Sequence, residues 1–85
     1  MKHELKNEPQ YFEQKLSGHK TWEIRLNDRG YKEGDVLHLR EWEAGSYTGR
    51  EMYQTVELLF QDDKYLQPGF VILTGMVFYD TKEDK

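Results

Sequence analysis

The chain has 85 residues and a mass of 10.2 kDa, room for one small domain, since chains of this size bury only about 60 to 70% of their unfolded surface. Hydrophobic residues at 36%, charged residues at 33% and a ring set of six Tyr, four Phe and two Trp describe a globular protein, and the lack of cysteine excludes disulfides and thiolate metal sites. A net charge of −4 argues against a protein held on duplex DNA by charge alone, although the basic residues gather in the first half, where Lys20, Arg25, Arg29 and Lys32 outnumber Glu23 and Asp28.

In chain order, His3 to Leu5 reads as a short first strand. Asn7 is placed as the N-cap of a helix over Glu8–Ser17, with Pro9 in its first turn, Phe12 and Leu16 on the buried face and Gly18 closing it. From Thr21 to Leu26 the residues alternate. Trp22, Ile24 and Leu26 are read as the core face of a strand, and Thr21, Glu23 and Arg25 as its polar face. Asn27 to Asp35 is turn-rich and leads into a strand over Val36–Trp42 with Leu37 and Leu39 on one face.

Glu43 to Tyr47 is expected to form a hairpin of more than two residues, with a return strand to Phe60 interrupted at Gly49. Gln61 to Gly69 is a loop, Phe70 to Phe78 a strand buried on both sides, and Tyr79 to Lys85 a frayed tail. The expected fold is mainly β with one N-terminal helix: residues 1–78 as a single small β-barrel plugged at one end by the helix.

The most informative segment is Gly18-His19-Lys20-Thr21-Trp22-Glu23-Ile24-Arg25. Glu23 and Arg25, two apart on a strand, project from one face, and Lys20 at the strand entrance reaches toward them, so three charged heads line one pocket. On spacing alone, an ordinary ion pair closing the barrel mouth is the favoured reading. The order Gly-x-Lys-x-x-Glu-x-Arg resembles the signature of the ASCH domains of the PUA-like superfamily. HELK (3–6), Asn27-Asp28-Arg29, GDVLHLREW (34–42) and Tyr47-Thr48-Gly49-Arg50 extend the resemblance to its small DUF3850 branch, over about Met1 to Phe78.

The resemblance implies a compact barrel with a cleft for RNA or a modified nucleoside. Lys20 and Arg25 would contact phosphate or carbonyl oxygens, Glu23 would orient Arg25 or accept from a base amino group, and Asn27 would read a base edge. Asp28, which equally fits a turn residue bonded to its own backbone, and Arg29 form the next rim, His3 and Lys6 reach the same mouth, and Trp42, which equally fits core or hairpin packing, offers with Tyr47 and Tyr31 rings for base stacking. Some ASCH proteins are amidohydrolases that deacylate a modified cytidine with lysine, threonine and glutamate. Here Glu23 occupies the position of their threonine, so the candidate catalytic set is Lys20, Thr21 and Glu23, with Glu57, Asp62 or Asp63 as a second acid.

A third reading is a protein-interaction module using the acidic second half. His3, His19 and His38 lack the spacing of a zinc site, no phosphate-loop or Gly-x-Ser-x-Gly motif occurs, and no metal or cofactor is expected. With no apolar run near ~20 residues and no signal-peptide core, the chain reads as cytoplasmic, with no membrane partner.

Overall fold

The computed structural model describes residues 1–78. Strand β1 (Lys2–Asn7) and helix α1 (Pro9–Leu16) are followed by β2 (Trp22–Leu26), β3 (Val36–Glu43), β4 (Ser46–Thr55), β5 (Leu58–Phe60), β6 (Phe70–Thr74) and β7 (Val77–Phe78). One sheet has the order β1-β3-β4-β7 and the other β2-β6-β5; β1 and β3 run parallel and every other pair is antiparallel. The parallel pair requires a crossover, and α1 with β2 supplies it.

Leu5 from β1, Phe12 from α1, Leu37 and Leu39 from β3, Met52 from β4, and Val71 and Leu73 from β6 make the core, with Tyr31 and Val56 from the connections. Phe12 is buried as the helix pattern predicted, and Leu16 packs half-buried against the same cluster. Among the described residues, no helix is long and apolar enough to cross a membrane.

The mainly β fold with one helix agrees with the sequence, but the two sheets do not close into a barrel. The chain passes from the first sheet to the second at Val56 and Glu57, whose amides donate to Asp35 O and Thr74 O at 2.9 and 2.8 Å. It returns at Gly75 and Met76, so the expected single strand over Phe70–Phe78 is two strands in different sheets, and β6 is buried on alternate residues rather than on both sides. Gly75 makes that return feasible: a Cβ there would lie 1.8 Å from the Thr55 carbonyl oxygen. The return strand expected to reach Phe60 likewise splits into β4 and β5.

Three local expectations also change. Asn7 is the last residue of β1, and the helix is capped by Glu8 without a side-chain hydrogen bond; Pro9 needs no N–H at that position. The β3–β4 hairpin turns on two residues, Ala44 and Gly45, both with positive φ (54° and 89°), the combination that matches the twist of paired strands. Gly49, at φ +100°, does not end the strand: β4 continues past a register shift opposite Arg40 and Trp42.

The largest departure is β2, which sits inside out. Glu23 is buried and Arg25 half-buried, whereas Trp22 is 43% exposed and Ile24 and Leu26 are each 49% exposed. Trp22 is therefore not a core residue. Alternation fixes which residues share a face but not which face turns inward. Here the choice goes to Glu23, because the buried ammonium of Lys15 on α1 needs a counter-charge.

Candidate functional site

The inverted strand creates a polar cleft. Lys6 and Asn7 at the end of β1, Glu8 and Tyr11 at the start of α1, Lys20 before β2, and Trp22 to Arg25 on β2 line a space of about 460 Å³. The outer edge of β1 is tied to β2 and to the connection after it by side chains: Arg25 Nη2 of β2 donates to Lys6 O at 3.0 Å, and Arg29 Nη1 of the connection donates to Glu4 O at 2.7 Å. The two guanidinium groups satisfy carbonyls that an edge strand otherwise leaves to solvent.

Glu23 is the centre of the charge network. Its Oε1 accepts from Arg25 Nε at 3.1 Å, with Arg25 Nη2 at 3.0 Å. Its Oε2 lies 3.4 Å from Lys15 Nζ and 3.7 Å from Lys20 Nζ and accepts no hydrogen bond from the described residues. Lys15, with no exposed side-chain surface, donates to Trp22 O at 3.1 Å and to Gln54 Oε1 at 2.5 Å. Loss of water pulls its pKa down to about 8; Glu23 opposes that fall, and the charges of Lys20 and Arg25 add to it.

Lys20 is different. Its ammonium stands 4.7 Å from the Tyr11 ring centroid and 5.0 Å from that of Trp22, and it donates no hydrogen bond to the described residues. A second unfilled group lies beside it. Asn7 is buried, its Nδ2 donates to Lys6 O at 3.1 Å, and its Oδ1 has no partner among the described residues. Because the Lys6 carbonyl only accepts, the amide orientation is set, and the oxygen is the atom left over.

Of the residues selected from sequence, the cleft brings together Lys6, Lys20, Glu23 and Arg25. Thr21 is not among the lining residues; its carbonyl accepts from Gln54 Nε2 at 3.4 Å. Asn27 Oδ1 accepts the Tyr31 amide at 2.8 Å, which commits it to a turn, and Asp28 is an exposed turn residue whose amide donates to Leu26 O. Arg29 caps the β1 edge.

His3 lies away from the cleft mouth, hydrogen-bonded through Nε2 to Asp35 Oδ2 at 2.9 Å and edge-on to Tyr31. With the N-terminal ammonium and the Lys32 amide, it holds the Asp35 carboxyl down to about 2. Tyr31 is buried, so it offers no stacking surface. Trp42 is half-buried, with Lys6 Nζ 3.9 Å from its ring centroid and the Tyr47 ring packed edge-on. Glu57 and Asp63 are exposed, and Asp62 accepts the Lys64 amide at 2.7 Å; none of the three lines the cleft.

Sequence reasoning missed Asn7, Tyr11, Lys15 and Gln54. Lys15 had a signal: it follows Phe12 by three on a helix whose buried face was already assigned, a position where a lysine must find a partner. Asn7 and Gln54 are ordinary strand residues until the fold removes their solvent.

Residues 2–74 match the profile of a family described as "Domain of unknown function (DUF3850)". The chain belongs to this family. It is also similar to a protein of Escherichia phage P2 named "Uncharacterized 12.9 kDa protein in GpA 3'region", with 46% identity over 50 residues, 59% of this chain. Those residues cover 46% of the phage protein's length, so the chain spans about half of that relative.

Proposed function

We propose that this DUF3850 chain is an ASCH-type, PUA-like module that binds single-stranded RNA or a nucleotide in the cleft between β1, α1 and β2. The observation that carries the reading is the Lys20 ammonium: a largely buried cation between two rings, with no hydrogen-bond acceptor among the described residues. Such a group is poised to donate to an anionic or carbonyl oxygen from the ligand, while Tyr11 and Trp22, 41% and 43% exposed, supply faces for a base. Glu23 holds Lys20 and Arg25 in place. The stacking role expected of Trp42 passes to these two rings at the mouth.

The reading is binding without turnover. The substitute nucleophile Thr21 is outside the cleft lining, and no described carboxylate other than Glu8 and Glu23 lines it. Heteronuclear NMR titration of the labelled chain with a mixed single-stranded RNA pool tests the proposal. Shifts are expected at Asn7, Tyr11 and Lys20 to Arg25, with affinity falling steeply as salt rises. Lys20→Ala, folded by circular dichroism, is expected to bind at least about tenfold more weakly, as befits a lost charge-assisted contact. Shifts spread over the whole surface, or equal binding by the variant, would sink the proposal.

A further inference from the structure

Inverting β2 leaves an apolar surface on the other side of its sheet. The antiparallel register puts Trp22, Ile24 and Leu26 of β2 beside Thr74, Ile72 and Phe70 of β6, and Leu58 and Phe60 of β5 beside Thr74 and Ile72. Of these, Trp22, Ile24, Leu26, Leu58 and Phe60 are 40 to 54% exposed, and the three β6 residues are half-buried. The face holds no ionisable side chain on any of its three strands.

We propose that this outer face of the β2-β6-β5 sheet is a self-association surface, covered by the same face of a second copy of the chain. Large side chains bury ~150 to 250 Å² when fully enclosed, so at these exposures the face offers on the order of 500 Å² per copy. Two copies then bury roughly 1,000 Å² in total, at the lower limit for a specific interface and well short of an obligate dimer. The consequence is a weak, concentration-dependent dimer. A two-fold contact suits the chemistry, because a surface without charge meets its own image without like-charge repulsion. At its β2 edge the face borders the cleft, since Trp22 and Ile24 also line it and Lys20 Nζ stands 5.0 Å from the Trp22 ring centroid, whereas strands β6 and β5 carry no cation. Two sheets stacked in this way pack about 10 Å apart, with their outer side chains interdigitated.

Sedimentation equilibrium of the full 85-residue chain at about 10 to 500 µM tests the inference. A reversible monomer–dimer equilibrium is expected, unchanged or tightened as salt rises, because salt screens the repulsion between two copies of net charge −4. Leu58→Glu is outside the cleft lining and places a carboxylate on the face at an exposed site, so the monomer fold is retained and the dimer is expected to weaken at least about tenfold. Leu26→Glu, on β2 at the opposite edge of the sheet and likewise outside the cleft lining, is expected to do the same. A chain that stays monomeric up to the highest concentration overturns the inference. So does a dimer that both variants leave intact.

Discussion

Two buried carboxylates in this small protein are handled in opposite ways. Glu41 on β3 is closed: Arg50 Nε and Nη2 donate to its two oxygens at 3.0 and 2.9 Å, and Thr48 Oγ1 adds a third bond at 2.6 Å. The Arg50 and Thr48 hydrogen bonds hold its carboxyl down to about 2. Glu23 is equally buried and faces three cations, yet among the described residues one of its oxygens accepts no hydrogen bond, and one of the cations, Lys20, donates none. The first cluster fastens a bulged hairpin. The second leaves donors and acceptors unfilled beside a cleft, the arrangement of a site rather than a brace.

Removing the central charge of the open cluster should have the largest effect. Glu23→Gln leaves the ammonium of Lys15, which has no exposed surface, without its anion, and Lys20 without its anchor. Breaking a buried pair on one side costs about 3 to 5 kcal/mol, of which Lys15 can relieve part by releasing its proton. Urea unfolding at pH 7 is the measurement. A loss below ~1 kcal/mol would show that the network is solvated and that β2 is not oriented by Glu23.

That orientation is also where sequence reading reached its limit. Leu37 and Leu39, Phe12 and the helix stop at Gly18 follow from local pattern, and the structure has them as expected. Lys20, Glu23 and Arg25 were legible as a group, since residues two apart on a strand share a face whichever way it turns. What the pattern does not encode is the Lys15 ammonium 39 positions from Gln54, which decides that the charged face goes in. Nor does it encode the approach of Gly75 to Thr55, which splits an unbroken apolar run between two sheets. Both are long-range contacts whose partners look unremarkable locally.

The closed cluster should be cheaper to open. Glu41→Gln keeps the shape and can retain a bond from Thr48, while Arg50, 45% exposed and also paired with Glu13, turns toward solvent. A loss of about 1 to 2 kcal/mol is expected, with the proposed RNA response at the cleft unaltered because Glu41 and Arg50 do not line it. The same substitution alters acid behaviour. A carboxyl held at about 2 in the fold and near 4.5 when unfolded stabilises the native state above about pH 4.5 and loses that contribution as pH falls toward 2. The wild type should therefore lose stability faster than Glu41→Gln across that window. Parallel acid curves would remove the distinction between the two clusters.

The smallest effect sharpens the comparison from the alkaline side. Lys15 releases its proton near pH 8 in the folded chain but only near 10.5 when unfolded, so between those values the unfolded state binds more protons, and this residue's contribution to stability grows with pH. Below pH 8 both states are protonated, and its contribution is constant. Measured against Lys15→Met, which does not titrate, the wild type should gain on the order of 1 kcal/mol between pH 7 and 9. Glu41, fully ionised throughout that range, contributes no slope. A flat difference would mean that Lys15 keeps its proton, and that Glu23 and Gln54 outweigh the burial that separates this cluster from the closed one.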